Sequence, residues 1–165
     1  MPEMMKPGEK HESLKKLEGL WSGDEMMKAS PMGPGGKTSG RMNFKMDLGG
    51  FFLFQDYAQQ MGGKTTFEGR GIIGWDKRWN HYCWYWVDAM GVMPITPMRG
   101  NWEGNSLVFY EEGARARFTY RIDGRDSLSF TMEGSQDGGR TYAELLEGRY
   151  HRVSAPVQRE AILAV

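Results

Sequence analysis

The sequence is short of several things, and each shortage removes a class of protein. It has a single cysteine, Cys83, so no internal disulfide can form, and three scattered histidines (His11, His81, His151) that leave no spacing for a structural zinc site. It has no excess of charge: Lys plus Arg and Asp plus Glu are 21 each, so no global field draws in nucleic acid or anionic lipid. No apolar run approaches a membrane span, and the Met-Pro-Glu-Met-Met-Lys start has none of signal-peptide length. With the lone thiol, this points to a reducing cytoplasm. Long helical patterns are missing too, as are a Gly-x-Ser-x-Gly elbow and any paired acidic motif.

What the chain does have is 23 glycines, 13 methionines and many aromatics, the composition of short strands joined by tight turns. At 165 residues it is read as one domain over 9–153, with a loose polar arm at 1–8 and a tail at 154–165. Leu14 and Leu17 stand three apart among Glu, Lys and Ser, predicting a short amphipathic helix from Glu9 to Leu17. Its apolar edge is too narrow for an independent helix and suits a plug at the end of something hollow.

Strands follow. The first runs from Gly19 to about Ala29 and is followed by a loop over Ser30–Gly36. Arg41 to Leu48 alternates strictly, with Met42, Phe44, Met46 and Leu48 on one face. Gly49-Gly50 turns the chain into Phe51–Gln60, where Phe52, Phe54 and Ala58 oppose Leu53, Gln55, Tyr57 and Gln59. Thr65–Trp75 carries Gly69, Gly71 and Gly74, the mark of sharp curvature or of a close neighbour, and its inward face stays undecided. Asn80 to Gly91 holds Tyr82, Trp84, Trp86 and Asp88 on one face and Cys83, Tyr85 and Val87 on the other. Both faces are largely apolar, so this strand needs cover on each side, or packing on one side and a lined cavity on the other. Hairpins follow about Glu103-Gly104-Asn105 and Asp123-Gly124, and a last strand over Arg140–Val153, ended by Pro156. Nine or ten such strands without crossover helices describe an all-β, up-and-down antiparallel barrel, which has no edges and encloses an interior.

The run Leu17-Glu18-Gly19-Leu20-Trp21-Ser22-Gly23 after a short helix resembles the opening of the calycin superfamily, in which a Gly-x-Trp closes the barrel floor. The chain more closely resembles the bacterial lipocalin-like domain-of-unknown-function family 1579, through Leu48-Gly49-Gly50-Phe51-Phe52-Leu53, Phe67-Glu68-Gly69-Arg70-Gly71, Gly74-Trp75-Asp76, Trp86-Val87-Asp88-Ala89-Met90-Gly91 and the closing Arg149-Tyr150-His151-Arg152. The likeness covers about residues 9 to 153. It implies a lipocalin-like barrel in which Gly19 and Trp21 form the floor and a late arginine, Arg149 or Arg152, packs across Trp21. The family carries no established reaction. The related nitrobindins bind haem through a late-strand histidine, but the parity of the last strand sets His151 with Glu147 and Arg149 on the polar face, away from Tyr142, Glu144, Leu146 and Tyr150.

Three functions remain open on these residues. One is a binding module for a small hydrophobic or amphipathic molecule such as a fatty acid, lined by Phe44, Phe54, Trp84, Trp86, Phe118, Tyr120 and Phe130, with Asp88 or an arginine orienting the polar end. A second is a small-substrate enzyme with Asp88 or Glu68 as base. The third is a filled barrel whose apolar outer face a second copy covers as a homodimer. Asp56, Glu68, Asp88 and Glu144 are expected in ion pairs with Arg41, Arg70 or Arg99, and Cys83 is expected to be inert.

Overall fold

Two leucines three residues apart can hold only a short segment in place, and here they hold a plug. The computed structural model describes residues 5–31 and 33–153. In it, α1 (Glu9–Glu12) runs into a 3-10 segment, Ser13–Leu17, whose Leu14 and Leu17 are wholly buried. Ten strands follow: β1 (Gly19–Met27), β2 (Gly36–Asp47), β3 (Phe52–Met61), β4 (Lys64–Asp76), β5 (His81–Asp88), β6 (Met98–Glu103), β7 (Ser106–Tyr110), β8 (Ala116–Gly124), β9 (Ser127–Gly134) and β10 (Ala143–Arg152). Each pairs antiparallel with its neighbours in sequence, and β1 pairs with β10, so the sheet closes and has no edge strand.

The all-β, up-and-down barrel is therefore the fold, with ten strands. Two boundaries move inward. β1 ends at Met27, and β10 begins at Ala143 because Asp137 draws the preceding residues into a loop: its carboxylate accepts from the backbone N–H groups of Arg140 and Thr141 and from the Ser135 and Thr141 hydroxyls. Residues 1–4 of the expected arm, and the tail 154–165 with Pro156, lie outside the described residues.

The floor is built on Gly19 and Trp21. Gly19 has φ +134, and a side chain there would collide with the Arg152 guanidinium. Trp21 is 1% exposed; its indole N–H donates to the Leu17 carbonyl at 2.8 Å and the Arg152 guanidinium lies 4.3 Å from its ring. The arginine on the tryptophan is thus Arg152, which the β1–β10 register places directly opposite Trp21, and Arg149 does not occupy that place. The reason is strand parity: Tyr150 and Arg152 turn inward, whereas Arg149 is exposed and bonds Glu147 at 3.0 Å.

The plug is tied down by polar atoms. The Ser13 hydroxyl bonds the Tyr82 hydroxyl at 2.7 Å and accepts from the Trp102 indole at 3.1 Å, while Tyr82 donates to the Lys10 carbonyl. Lys10 and Lys16 cap the Trp75 and Trp102 rings. The core is densest next to this plug, where Leu53, Ile73, Leu107, Phe109 and Leu128 are buried to 1% exposure or less. Toward the other end, the mouth, inward-facing Tyr57, Phe67, Trp86, Phe118 and Phe130 are only partly buried.

Candidate functional site

The tryptophan strand β5 is the spine of the interior. Tyr82, Trp84 and Trp86 step upward from plug to mouth. Trp84 is at the centre of an aromatic cluster, with ring centroids 5.3 Å from Phe109, 5.6 Å from Phe118 and Trp86, and 5.7 Å from Tyr120. The neighbouring strand β4 makes room for it. Gly69 and Gly71 face inward, and a Cβ would overlap the Trp86 ring at the first and fall 2.5 Å from Trp84 Nε1 at the second. The face of β4 that its sequence leaves undecided is settled by the bulk of its partner. Glycine alternates on one strand because tryptophan alternates on the next.

Of the residues expected to line the cavity, the structure turns Phe44, Trp84, Trp86, Phe118, Tyr120 and Phe130 inward. Phe54 is a correction: it faces outward, opposite Lys45 on β2 and Ile72 on β4. The register pairs Met46 with Leu53, so Leu53, Gln55, Tyr57 and Gln59 point inward. Hydrophobicity favours the other parity, but the interior supplies partners for the Gln55 amide N–H and the Tyr57 hydroxyl, which reduces the cost of burying them. Outside, Phe54, Ile72 and Tyr85 form a cross-strand apolar row.

Among the described residues, two polar groups in the interior have no partner. The Gln55 side-chain amide donates to the Tyr120 hydroxyl at 2.7 Å, but its Oε1 is unpaired, and so is the Trp84 indole N–H. These residues are 2% and 3% exposed. Both orphan atoms pack against Gly71: a Cβ built there would lie 2.5 Å from Trp84 Nε1 and 3.0 Å from Gln55 Oε1. One donor and one acceptor thus meet beside the same glycine, each without a partner.

A second polar centre was not visible as a sequence motif. Glu25 is 2% exposed, and its carboxylate accepts from four neutral side chains. Tyr57 donates to both oxygens at 2.8 Å, Tyr150 to Oε1 at 2.8 Å, and Thr38 and Gln59 to Oε2 at 3.0 Å. Burial first, and the Glu25 charge second, push the Tyr57 and Tyr150 hydroxyls well above the usual phenol range, so both remain donors. Tyr120 is raised as well, chiefly by burial. The signal for Glu25 is parity: counting in twos from the floor Trp21 passes Gly23 and reaches Glu25 on the inward face.

The other carboxylates have plainer places. Asp56 pairs with Arg70 at 3.0 Å on the outer wall, and Glu144 with Lys28 at 3.4 Å. Glu68, considered above as a base, is exposed on the outer face of β4 and cannot serve the interior. Asp88 stands at the mouth, where it accepts from the Trp86 indole at 2.8 Å and the Met90 backbone N–H at 2.9 Å, fixing the Trp86 ring and the turn after β5.

A histidine-ligated haem of the nitrobindin kind does not fit these residues. His151 is exposed on the outer face of β10, His81 is on the outer face of β5, and His11 lies on the plug against Phe51. Cys83 is also on the outer face of β5, and burial pushes its thiol upward. It borders an open groove of about 520 Å³ on the outside wall, with Trp79, Arg78, His81 and Arg99. No helix among the described residues is long and apolar enough to cross a membrane.

A ten-stranded closed antiparallel barrel, plugged at one end by an N-terminal helical segment and lined with aromatics around a few buried polar groups, is of the calycin-like class. Within it, residues 6–152 match the model of a family described as "Protein of unknown function (DUF1579)", and the chain belongs to that family. Rv2717c from M. tuberculosis, known from its crystal structure, has a similar fold: TM-score 0.67, 19% identity, with 89% of this chain and 99% of that one covered. Lower similarity is found to a de novo designed fluorescence-activating β-barrel (TM-score 0.46, 14% identity, 86% and 97% covered). EF1p2_mFAP2b bound to DFHBI gives TM-score 0.44 at 13% identity, with 87% and 99% covered. No curated protein matches.

Proposed function

We propose that this protein binds a small amphipathic molecule in the mouth-side half of its barrel. The observation that carries the reading is the unpaired Trp84 N–H and Gln55 carbonyl oxygen, both deeply buried and both beside Gly71. A buried polar group without a partner costs about 1–3 kcal/mol, and a guest hydroxyl, accepting from the indole and donating to the amide oxygen, removes two such costs at once. The body of the guest then lies against Trp86, Phe118 and Phe130, which face inward yet keep partial access from the mouth. Asp88 positions Trp86 in this reading and leaves the guest's polar end to Trp84 and Gln55.

Tryptophan fluorescence titration with 3-phenylpropan-1-ol and its methyl ether tests this. The alcohol, which can both accept and donate, binds more tightly than the ether, which can only accept. Equal affinities, or no binding of either together with a clean apo mass in native mass spectrometry of protein purified from cells, overturn the reading.

A further inference from the structure

The charge of the interior says what kind of molecule belongs there. The chain as a whole has no net charge. Its interior does not share that balance. Among the described residues, the inward positions of the mouth-side half carry Glu25 and Asp88 and no lysine, arginine or histidine; the inward Arg152 is at the opposite end, spread over Trp21. A buried carboxylate is usually matched by a cation. Glu25 is instead met by three hydroxyls and one amide, which bind the charge without neutralising it.

The rings around it are arranged to make use of that charge. Tyr57 donates its hydroxyl to Glu25, and its ring lies 6.2 Å from both Phe67 and Trp86. Trp86 in turn donates its indole N–H to the Asp88 carboxylate. A phenol or indole that donates a hydrogen bond to a carboxylate becomes more electron-rich, so its face attracts a cation more strongly. Both anions are thus hydrogen-bonded to partly buried rings of the mouth-side half. Glu25 already has acceptor contacts from four side chains, so it acts through those rings and needs no direct contact with a guest.

We propose that the guest carries a positive charge: that the mouth-side chamber selects small amphipathic organic cations, holding an ammonium group against the faces of Tyr57, Phe67 and Trp86 with Glu25 and Asp88 behind them. This rests on the preceding reading that a guest occupies the chamber, and it excludes the fatty acid class, whose carboxylate would enter a space with two fixed negative charges and no counter-charge. The unpaired Trp84 and Gln55 groups lie deeper on the same inward face, and the two together favour a molecule with a hydroxyl at one end and a cation at the other.

The test uses three benzyl alcohols that differ only at the para position: aminomethyl, ethyl and carboxymethyl. Each is titrated at pH 7 into the full-length protein, followed by tryptophan fluorescence and ligand-observed NMR. The aminomethyl compound is expected to bind about tenfold more tightly than the ethyl compound, and the carboxymethyl compound more weakly than either. In Glu25→Gln the ratio of aminomethyl to ethyl affinity falls toward one. If the ethyl or carboxymethyl compound binds wild-type protein as tightly as the aminomethyl compound, the charge preference is overturned and guest binding stands. If none of the three binds, both readings fall. A preference that survives in folded Glu25→Gln overturns the role of Glu25. Should that variant fail to fold by circular dichroism, the wild-type ranking and Asp88→Asn, at the solvent-facing mouth, decide the matter: an unchanged aminomethyl preference in Asp88→Asn overturns the part given to Asp88.

Discussion

Replacing Gly71 by alanine presses one methyl group against the unpaired Trp84 and Gln55 atoms. The added carbon would sit 2.5 Å from Trp84 Nε1, 3.0 Å from Gln55 Oε1 and 3.2 Å from Trp84 Cδ1, so the indole must move by several tenths of an ångström. Trp84 is packed against Phe109, Phe118 and Tyr120 and has little room to yield. Overpacking of this size costs about 1–3 kcal/mol. Gly71 has no positive φ, so alanine also restricts the unfolded chain, which returns about 0.4–1 kcal/mol. The net loss is about 1–2 kcal/mol, or a melting point lower by roughly 2–8 °C in a domain of this size. Binding should suffer far more than stability, because the methyl and the displaced indole block access to both orphan groups. Titration of the folded variant with 3-phenylpropan-1-ol is expected to show at least a tenfold loss of affinity, on the order of 1.4 kcal/mol or more, and the alcohol's advantage over its methyl ether should vanish. If Gly71→Ala binds the alcohol as wild type does, the Trp84 and Gln55 pair is not where the guest's polar end sits.

Trp21→Ala removes a floor side chain that is 1% exposed and is predicted to cost about 3–5 kcal/mol, a fall of roughly 6–20 °C by calorimetry; a shift no larger than a surface mutant's refutes its floor role. Tyr150→Phe leaves the ring and deletes one donor to the buried Glu25, for an expected loss of about 1.5–3 kcal/mol in chemical denaturation. At alkaline pH the sign follows from the raised hydroxyls of Tyr57, Tyr120 and Tyr150: the folded state keeps protons that the unfolded chain gives up near pH 10. Stability should therefore be unaffected by these groups below that pH and fall above it, by about 1.4 kcal/mol per pH unit for each. Their phenolate absorbance should appear only together with unfolding, and titration of all seven tyrosines in the folded protein would contradict the network. Leu14→Ala, in the plug, should cost about 2–5 kcal/mol in the same denaturation assay.

Much of the architecture was written in local patterns. Period-two alternation and Gly-containing turns marked nearly every strand, and the absence of crossover helices left an up-and-down barrel as the economical closure. Leu14 and Leu17 announced a plug because their edge was too narrow for anything else. The tryptophan strand was legible as the interior's spine from Tyr82, Trp84 and Trp86, but the cover expected over its other face is missing among the described residues, since Tyr85 and Val87 are exposed.

The site was harder to read, and the difficulty lies in β3. Phe52 and Phe54 look like an inward face, but Gln55 and Tyr57 take it, because Tyr120 and Glu25, 65 residues ahead and 32 behind, wait inside to bond them. The same holds for Arg152, chosen over Arg149 by the register of two strands at opposite ends of the chain. Sequence by itself determined the strands, the plug and the aromatic content. Only the closed tertiary structure decided which parity each ambiguous strand adopts, that Glu25 has no counter-ion among the described residues, and that one unpaired donor and one unpaired acceptor meet beside Gly71. Alternation is a property of neighbours along the chain. The burial of a polar group depends on whether a partner arrives from far away, and the barrel's closure is what brings it there.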